Sequence, residues 1–221
     1  MRGPGKGGLP RVLLVSLALL ACQDAERVRR SCDGGNVAAC NDLGVSYANG
    51  EGVPQNSSRA VSLYQQACDG GEVLGCYNLG AFYRDGAGVP QNSARAAALY
   101  QQACGGGEAR GCSNLGVLYE NGTGVPQNSA RAVSLYQQGC DGGSALGCEN
   151  LSDRYVSGER IPQDLARAVS LYEIACDGGY ADGCFDLGVM YQQGDGVPQD
   201  LTRAASLFRK ACDGGVAEAC R

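Results

Sequence analysis

Apolar residues recur along this chain at helical spacing, in two successive stretches of each repeating segment. In one segment the first stretch carries Cys76, Leu79, Gly80 and Tyr83, and the second carries Ala96, Leu99, Tyr100, Ala103 and Cys104. Spacings of i, i+3, i+4 and i+7 place these small and apolar side chains on one face of a helix. Each stretch is therefore predicted to be an amphipathic helix.

A break containing glycine and proline separates the two predicted helices. Residues 86–91 read Gly-Ala-Gly-Val-Pro-Gln, in which glycine ends a helix and Pro90 cannot continue one. Two residues after each proline stands a short polar side chain, which is a good N-cap for the following helix. These predicted caps are Asn56, Asn92, Asn128, Asp164 and Asp200. The pattern predicts antiparallel helix pairs.

The pattern repeats every 36 residues, and the cysteines show this most clearly. Twelve of the 13 cysteines form six C-x7-C pairs without any insertion or deletion between them. The pairs are Cys32 and Cys40, Cys68 and Cys76, Cys104 and Cys112, Cys140 and Cys148, Cys176 and Cys184, and Cys212 and Cys220. A fixed period of this length predicts an all-α stack of helix-turn-helix repeats.

Each cysteine pair is predicted to form a disulfide across the turn between successive repeats. Eight residues of continuous helix would separate the two Cα atoms by about 12 Å, which no disulfide spans. The Asp-Gly-Gly that follows Cys68, and its counterparts, supplies the required chain reversal. Each loop closure contributes roughly 2–3 kcal/mol in the chain-entropy treatment. Zinc thiolate sites are the rival reading, but they favour C-x-x-C spacing or histidine, and the chain has neither.

The N-terminus has the organisation of an export signal. Three basic residues without an acid precede an apolar run over residues 12–20, which is too short to span a bilayer. The following Leu19-Leu20-Ala21-Cys22 resembles the lipobox of bacterial lipoproteins, which implies that Cys22 is lipidated and becomes the mature N-terminus. An ordinary signal peptide cleaved near Ala21 is the alternative.

The charge balance narrows the range of partners. Without the three basic residues of the signal, 15 basic side chains remain against 23 acidic ones, a net charge of −8. This balance argues against nucleic acid and against electrostatic binding to anionic lipid, so membrane attachment is expected only through the lipid anchor.

The repeat unit C-x-x-L-G-x-x-Y-x-x-G-x-G-V-P-Q-x-x-x-x-R-A-x-x-L-Y-x-x-A-C resembles the Sel-one-like repeat, a relative of the tetratricopeptide repeat. With a cysteine pair in each unit, it is most similar to the Helicobacter cysteine-rich proteins. The resemblance covers residues 32–221. It implies an αα-superhelix with a concave surface lined by the first helices, in a secreted or periplasmic protein. It also implies weak penicillin binding or β-lactam hydrolysis, which some members of that family are reported to show.

One repeat departs from the pattern. Leu-Gly becomes Leu151-Ser152, and Arg160 stands where other repeats have Gly52, Gly88, Gly124 and Gly196. If that position requires a positive φ, the arginine strains or reshapes the turn.

The sequence offers little for hydrolytic chemistry. There is no histidine for a metal centre, no Ser-x-x-Lys motif and no G-x-S-x-G motif. The paired cysteines are expected to be oxidised. We predict no catalytic residues, no metal site and no cofactor, while a weak β-lactamase or penicillin-binding protein stays open as the alternative function.

Two positions of the first helix are the candidate ligand face. Counted from the helix cysteine, positions +2 and +6 lie opposite the predicted core stripe. The candidate ligand-binding residues are Asn78, Phe82, Asn114, Leu118, Asn150, Arg154, Asp186 and Met190. The amides can pair with a peptide backbone, and Phe82, Leu118 and Met190, expected to be exposed, can seat its side chains. The alternative is that the Asn/Asp column only fixes the stacking. A recurring arginine, such as Arg131, is expected to pair with a neighbouring acid.

The sequence as a whole predicts a lipid-anchored repeat protein of the bacterial envelope, or a secreted one if it is not lipidated. Residues 1–21 are the predicted signal peptide, 22–31 the lipidated cysteine, linker and N-terminal cap, and 32–221 a solenoid of five repeats with terminal caps. The predicted partner is a protein or peptide bound without turnover. The sequence does not indicate an oligomeric state.

Overall fold

The computed structural model of the chain describes residues 24–220. The predicted signal peptide and Cys22 lie outside these residues. The described part is α-helical without strands, and it divides into two compact units, one ending at Gln91 and the other beginning at Asn92. Each helix within 24–220 is too short or too polar to cross a membrane.

The first unit contains four helices. They are α1 (residues 24–33), α2 (Val37–Asn49), α3 (Ser57–Asp69) and α4 (Val73–Asp85). Residues 24–31, which were expected to cap the stack, lie within α1, and Ala25 and Cys32 on this helix are buried.

The second unit contains seven α-helices and one 3-10 turn. The α-helices are α5 (Ser93–Gly105), α6 (Ala109–Asn121), α7 (Ser129–Asp141), α8 (Ala145–Ser157), α9 (Leu165–Asp177), α10 (Ala181–Gln193) and α11 (Leu201–Asp213). The 3-10 turn is Ala217–Cys220. Even-numbered helices from α2 to α10 are the first helices of their repeats, and odd-numbered helices from α3 to α11 are the second.

The ends of the helices follow the predicted signals. The side chain of Asn128 accepts a hydrogen bond from the backbone N–H of Arg131, and the four other predicted caps do the same for the residue three positions on. Each first helix ends at a glycine in the left-handed conformation, as Gly122 does with a φ of 67°. The predicted helix-turn-helix repeat is confirmed.

The six predicted disulfides are confirmed as well. Their Cα atoms lie between 4.5 and 5.0 Å apart, because the chain reverses between the two cysteines. The last glycine of each reversing turn has a φ between 85° and 98°, a conformation that residues other than glycine rarely adopt. Each disulfide, called a staple below, therefore joins the second helix of a repeat to the helix or turn that follows it.

The core is built from small residues and rings. A fully buried alanine lies near the start of each second helix, at Ala60, Ala96, Ala132, Ala168 and Ala204. A glycine on the first helix gives room for a ring on the second, so that a Cβ built at Gly116 would lie only 2.6 Å from Tyr136 Cε1. Gly44 and Gly188 make the same close contact with Tyr64 and Phe208. Close helix packing thus replaces the large aromatic core that the composition lacks.

The recurring arginines lie over tyrosine rings. The guanidinium carbon is 4.5–5.0 Å from the ring centroid in the pairs Arg59–Tyr47, Arg131–Tyr119, Arg167–Tyr155 and Arg203–Tyr191. Such cation–π pairs contribute about 0.5–1 kcal/mol each at exposed positions. The expected acidic partner is present at Arg203, which also bonds Glu173 at 2.8 Å, whereas Arg131 bonds the amide oxygen of Gln101.

The divergent repeat has an unusual turn at Arg160, as its sequence suggested. Arg160 has a φ of 72°, so the position does require a positive φ, which is the condition under which the arginine was expected to strain or reshape the turn. At Gly124, the equivalent position, a built Cβ would lie 2.3 Å from the carbonyl carbon of Ser93, which shows how closely a glycine turn approaches the preceding repeat. Beside Arg160 there is instead an open cleft of about 320 Å³ along residues 127–130.

Candidate functional site

The outer face of each first helix presents a repeated pair of side chains, at positions +2 and +5 from the helix cysteine. We call these the outer pairs. Residues three apart lie next to each other on a helix. In the first unit the outer pairs are Asp42 with Val45 and Asn78 with Ala81, and in the second they are Asn114 with Val117, Asn150 with Asp153, and Asp186 with Val189. All are half-buried except Asp42, which is exposed.

Some of the predicted amides already have structural partners. Asn78 Nδ2 donates to Asn41 Oδ1 at 2.8 Å, which ties α4 to α2. Asn150 Nδ2 donates to the backbone carbonyl of Leu146 at 2.8 Å, within its own helix. Asn78 and Asn150 therefore help to hold the helices together, which is the structural role considered as the alternative to ligand binding. Both side chains are only half-buried, so part of each remains accessible to solvent.

The prediction that Leu118 and Met190 are exposed is wrong. Their relative accessibilities are 5% and 6%, and Met190 packs in a core cluster with Tyr172 and Tyr191. The +6 side chains were expected to be exposed because other helices were assumed to pack against only one side of each first helix. In the second unit α6 also contacts α8, so the covered arc is wider. The half-buried aliphatic residues of these helices are instead Val117 and Val189 at +5, of which Val117 also packs against the core cluster that contains Tyr136.

The third predicted apolar residue, Phe82, is half-buried in the first unit. Its ring meets the ring of Tyr64 edge-on, with centroids 5.2 Å apart and planes inclined at 69°. Such a contact fixes the ring against α3 while part of it stays accessible.

Arg154, the charged member of the +6 column, is held by two carboxylates. Its Nη1 lies 3.0 Å from Glu120 Oε1 and 3.1 Å from Glu159 Oε2. Glu120 also accepts a hydrogen bond from the hydroxyl of the buried Tyr136. This network joins α6, α7 and α8 within the second unit, so Arg154 acts first as a tie between repeats.

An acidic cluster lies next to this tie and brings together three carboxyl groups from two repeats. Glu149 and Asp153 come from α8 and Asp186 from α10, and one oxygen of each lies within 4.8 Å of the others. Glu149 is buried, and the other two are half-buried. Tyr172 of α9 donates its hydroxyl to Asp153 Oδ1 at 2.6 Å.

Burial and mutual repulsion make this cluster resist ionisation. Burial raises the pKa of Glu149, and the neighbouring Asp186 charge raises it further. The pKa of Asp186 is raised by burial and by the charge of Asp153, and the pKa of Asp153 is raised mainly by burial. Adding a proton or a cation would relieve the same repulsion.

Sequence reasoning placed Asp186 in the ligand face but missed the cluster. The signal was present at position +5, where Asp153 replaces the Val45, Ala81, Val117 and Val189 of the other repeats. Position +1 also changes from repeat to repeat, from Asn41 through Tyr77 and Ser113 to Glu149 and Phe185. Only the fold shows that Glu149 and Asp186, which are 37 positions apart, are neighbours.

Comparison with known proteins identifies the repeat itself. The sequence matches the Sel1 repeat five times, at residues 37–72, 73–108, 109–144, 145–180 and 181–216. No curated protein matches the sequence.

Several solved structures share the fold. The protective antigen c5321 of uropathogenic Escherichia coli, described as having an SLR fold, is 29% identical with a TM-score of 0.77. The match covers 88% of this chain but only 42% of that protein. A Sel1 repeat protein from Oxalobacter formigenes is 24% identical over 88% of this chain and 86% of its own, with a TM-score of 0.78. Helicobacter pylori cysteine rich protein B is 30% identical over 57% of this chain and 90% of its own, with a TM-score of 0.47.

Proposed function

The chain belongs to the Sel1 repeat family, and we propose from that premise that it is an exported, lipid-anchored scaffold that binds a protein or peptide along its outer pairs. Sel1 repeat proteins are scaffolds that generally act through protein interactions. Neither the sequence motifs nor the described side chains supply a nucleophile with its base, so recognition without turnover is the function that the residues support best.

One observation carries the binding proposal. In the second unit, three successive first helices present a short amide or carboxylate beside a second side chain at i+3, and all six residues are half-buried. An amide offers both a donor and an acceptor to a peptide backbone, and the valines at +5 offer apolar contact to its side chains. The repeat spacing offers such a pair once in each repeat, which suits an extended ligand.

The proposed location rests on the disulfides and on the N-terminus. Six disulfides are typical of a protein outside the cytoplasm, where thiols are not kept reduced. The lipobox-like sequence before Cys22 supports attachment by a lipid on that residue. A single-chain anchor binds only weakly, so stable attachment would need more than one acyl chain on the mature cysteine.

The binding proposal is tested with a random peptide library displayed on phage and selected against the oxidised chain. Enriched peptides are then synthesised and measured by isothermal titration calorimetry. The double variant Asn114→Ala and Asn150→Ala is expected to weaken binding at least tenfold, which corresponds to about 1.4 kcal/mol. Gln102→Ala, which removes an exposed amide from α5, is the matched control. Equal affinity of the double variant and the control would refute this face as the binding site.

The anchoring proposal has its own test. The full-length protein expressed in a bacterial host is expected to incorporate labelled fatty acid and to fractionate with membranes. Cys22→Ser should abolish both while leaving the six disulfides formed. Membrane fractionation that persists in Cys22→Ser would contradict anchoring through this residue.

A further inference from the structure

We propose that Glu149, Asp153 and Asp186 form a binding site for a divalent cation of the calcium class, between the repeat of residues 145–180 and the next one. The sequence contains no motif that indicates this site. The site has no histidine or C-x-x-C ligands, and its three carboxylates come from two different helices. The proposal concerns a different ligand from the peptide proposal and is argued from separate observations, although Asp153 and Asp186 also belong to the outer pairs.

The geometry is that of three ligands converging on one point. Glu149 and Asp153 stand one helical turn apart on α8, so their carboxylates lie on the same face. Asp186 approaches from α10, and one oxygen of each group lies within 4.8 Å of the other two. Carboxylates this close can share one cation after small side-chain movements, and calcium, with bonds of about 2.4 Å and flexible geometry, requires less closure than magnesium, with bonds of about 2.1 Å.

A second observation points to a missing partner. Glu149 is only 7% exposed and its Oε2 has no hydrogen-bond partner among the described residues, while the side chain within hydrogen-bond reach of its carboxyl group is another acid, Asp186. That oxygen lies against the backbone of Gly183 on α10, where a built Cβ would be 2.7 Å away. A buried carboxylate without a donor or a counter-charge costs several kcal/mol, so proteins normally pair it or bind a cation with it.

Among residues 24–220, no cationic side chain forms an ion pair with Glu149 or Asp186, and the only cationic charge that lowers the pKa of Asp153 is that of the nearby Arg154. The nearest candidate, Arg154, directs its Nη1 to Glu120 and Glu159 instead. Tyr172 supplies one hydroxyl donor, and it is used by Asp153. Three acidic groups therefore share one tyrosine hydroxyl and the partial influence of a single arginine that is already paired elsewhere.

The ligand chemistry selects the type of ion. Carboxylate oxygens favour calcium, magnesium and manganese, and there is no imidazole or free thiolate among these groups to favour zinc or copper. Asp153 and Asp186 are half-buried, so the site is open to solvent on one side and water molecules can complete a coordination of six to eight oxygens. Calcium sites of extracellular modules have dissociation constants of about 10⁻⁴–10⁻³ M, which sets the expected range.

The rival explanation is that Glu149 simply holds a proton and shares it with Asp186. In that case the three groups form a closed structural unit without affinity for metal. The two explanations differ in a direct binding measurement on the oxidised full chain, freed of metal with EDTA and then of EDTA by gel filtration.

Calorimetric titration with calcium chloride is expected to show one saturable site. Glu149→Gln should weaken it by at least about tenfold, the scale of loss found when even a supporting group of a metal site is removed. Asp195→Asn, which removes an exposed carboxylate in the turn after α10, is the matched control and should leave the affinity unchanged. Asp186→Asn gives a second test at a more accessible ligand, should Glu149→Gln perturb the fold by circular dichroism.

Terbium luminescence locates the ion. The chain has no tryptophan, so terbium excited through tyrosine reports a nearby ring, and the Tyr172 hydroxyl lies 2.6 Å from Asp153. Sensitised emission should saturate, be displaced by calcium, and fall in Tyr172→Phe while calcium affinity is retained. The proposal is overturned if calcium gives no saturable heat, or if Asp186→Asn and Asp195→Asn bind it equally. Because no peptide is present, a negative result leaves the peptide-binding proposal untouched.

Discussion

The contact of Gly116 with Tyr136 gives the sharpest test of how this core is packed. Gly116 lies in α6, and a Cβ built on it would lie 2.6 Å from Tyr136 Cε1 and 2.8 Å from Cδ1. The ring is fully buried, and its hydroxyl donates to Glu120. Gly116→Ala therefore adds one methyl group at a position where the neighbouring ring cannot simply turn into solvent.

Two opposing effects decide the magnitude. Alanine is a better helix former than glycine by about 1 kcal/mol, which favours the variant. Ordinary carbon contacts need about 3.5–4.0 Å, so the ring must move by roughly 1 Å, and overpacking of this kind costs about 1–3 kcal/mol. The movement also strains the hydrogen bond to Glu120, and a bond to a charged group contributes about 1.5–3 kcal/mol. We expect a net loss of about 1–3 kcal/mol in the free energy of unfolding.

Gly105→Ala is the matched control. It makes the same chemical change at the end of α5, where a built Cβ has no heavy atom within 4 Å in the described chain. With only the propensity effect remaining, the variant should be as stable as the parent or more stable by up to about 1 kcal/mol.

Guanidinium denaturation of the oxidised proteins, followed by circular dichroism at the helix band, measures both variants. The expected order of transition midpoints places Gly105→Ala at or above the parent and Gly116→Ala clearly below it. If Gly116→Ala matches or exceeds Gly105→Ala, the ring-on-glycine contact does not restrict the core, and the account of packing given above is wrong.

Three further predictions concern the staples, the strained turn and the acidic cluster. Replacing Cys104 and Cys112 with alanine should lower the free energy of unfolding by about 2–3 kcal/mol in guanidinium melts, and an unchanged midpoint would contradict a stabilising role for this staple. Arg160→Gly should raise thermal stability by up to about 1 kcal/mol, because glycine adopts a φ of 72° without the side-chain penalty, and a lower melting temperature would refute this. In EDTA, the raised pKa of Glu149 means that the folded protein binds a proton that the unfolded chain releases. Its stability should fall as the pH rises above the ordinary value of 4.5, and Glu149→Gln should reduce that fall in melts from pH 4 to pH 8; identical pH dependence would refute the assignment.

Features that depend on residues close together in the sequence were predictable from the sequence. The caps at Asn56 and its counterparts, the glycine that ends each first helix, and the disulfide across each turn all follow from local chemistry. The backbone strain at Arg160 could also be foreseen, because four repeats have glycine at the same position of the turn.

Features that depend on contacts between repeats were predicted less well. Leu118 and Met190 were placed on the surface because a helical wheel cannot show that a second helix covers the same arc. Arg131 was expected to meet an acid, yet its guanidinium lies over Tyr119. The acidic cluster joins Glu149 to Asp186, and its formation depends on the stacking of two repeats.

The short span of every disulfide has a consequence for how the protein acquires its covalent structure. Native partners are 8 residues apart, whereas the next cysteine along the chain, such as Cys68 after Cys40, is 28 residues away. Closing the longer loop costs roughly 1 kcal/mol more in chain entropy, so each thiol meets its correct partner first. A chain that leaves the cytoplasm N-terminus first can therefore form its disulfides one turn at a time, in the order in which the turns emerge. Few wrong pairings would then need correction by a disulfide isomerase.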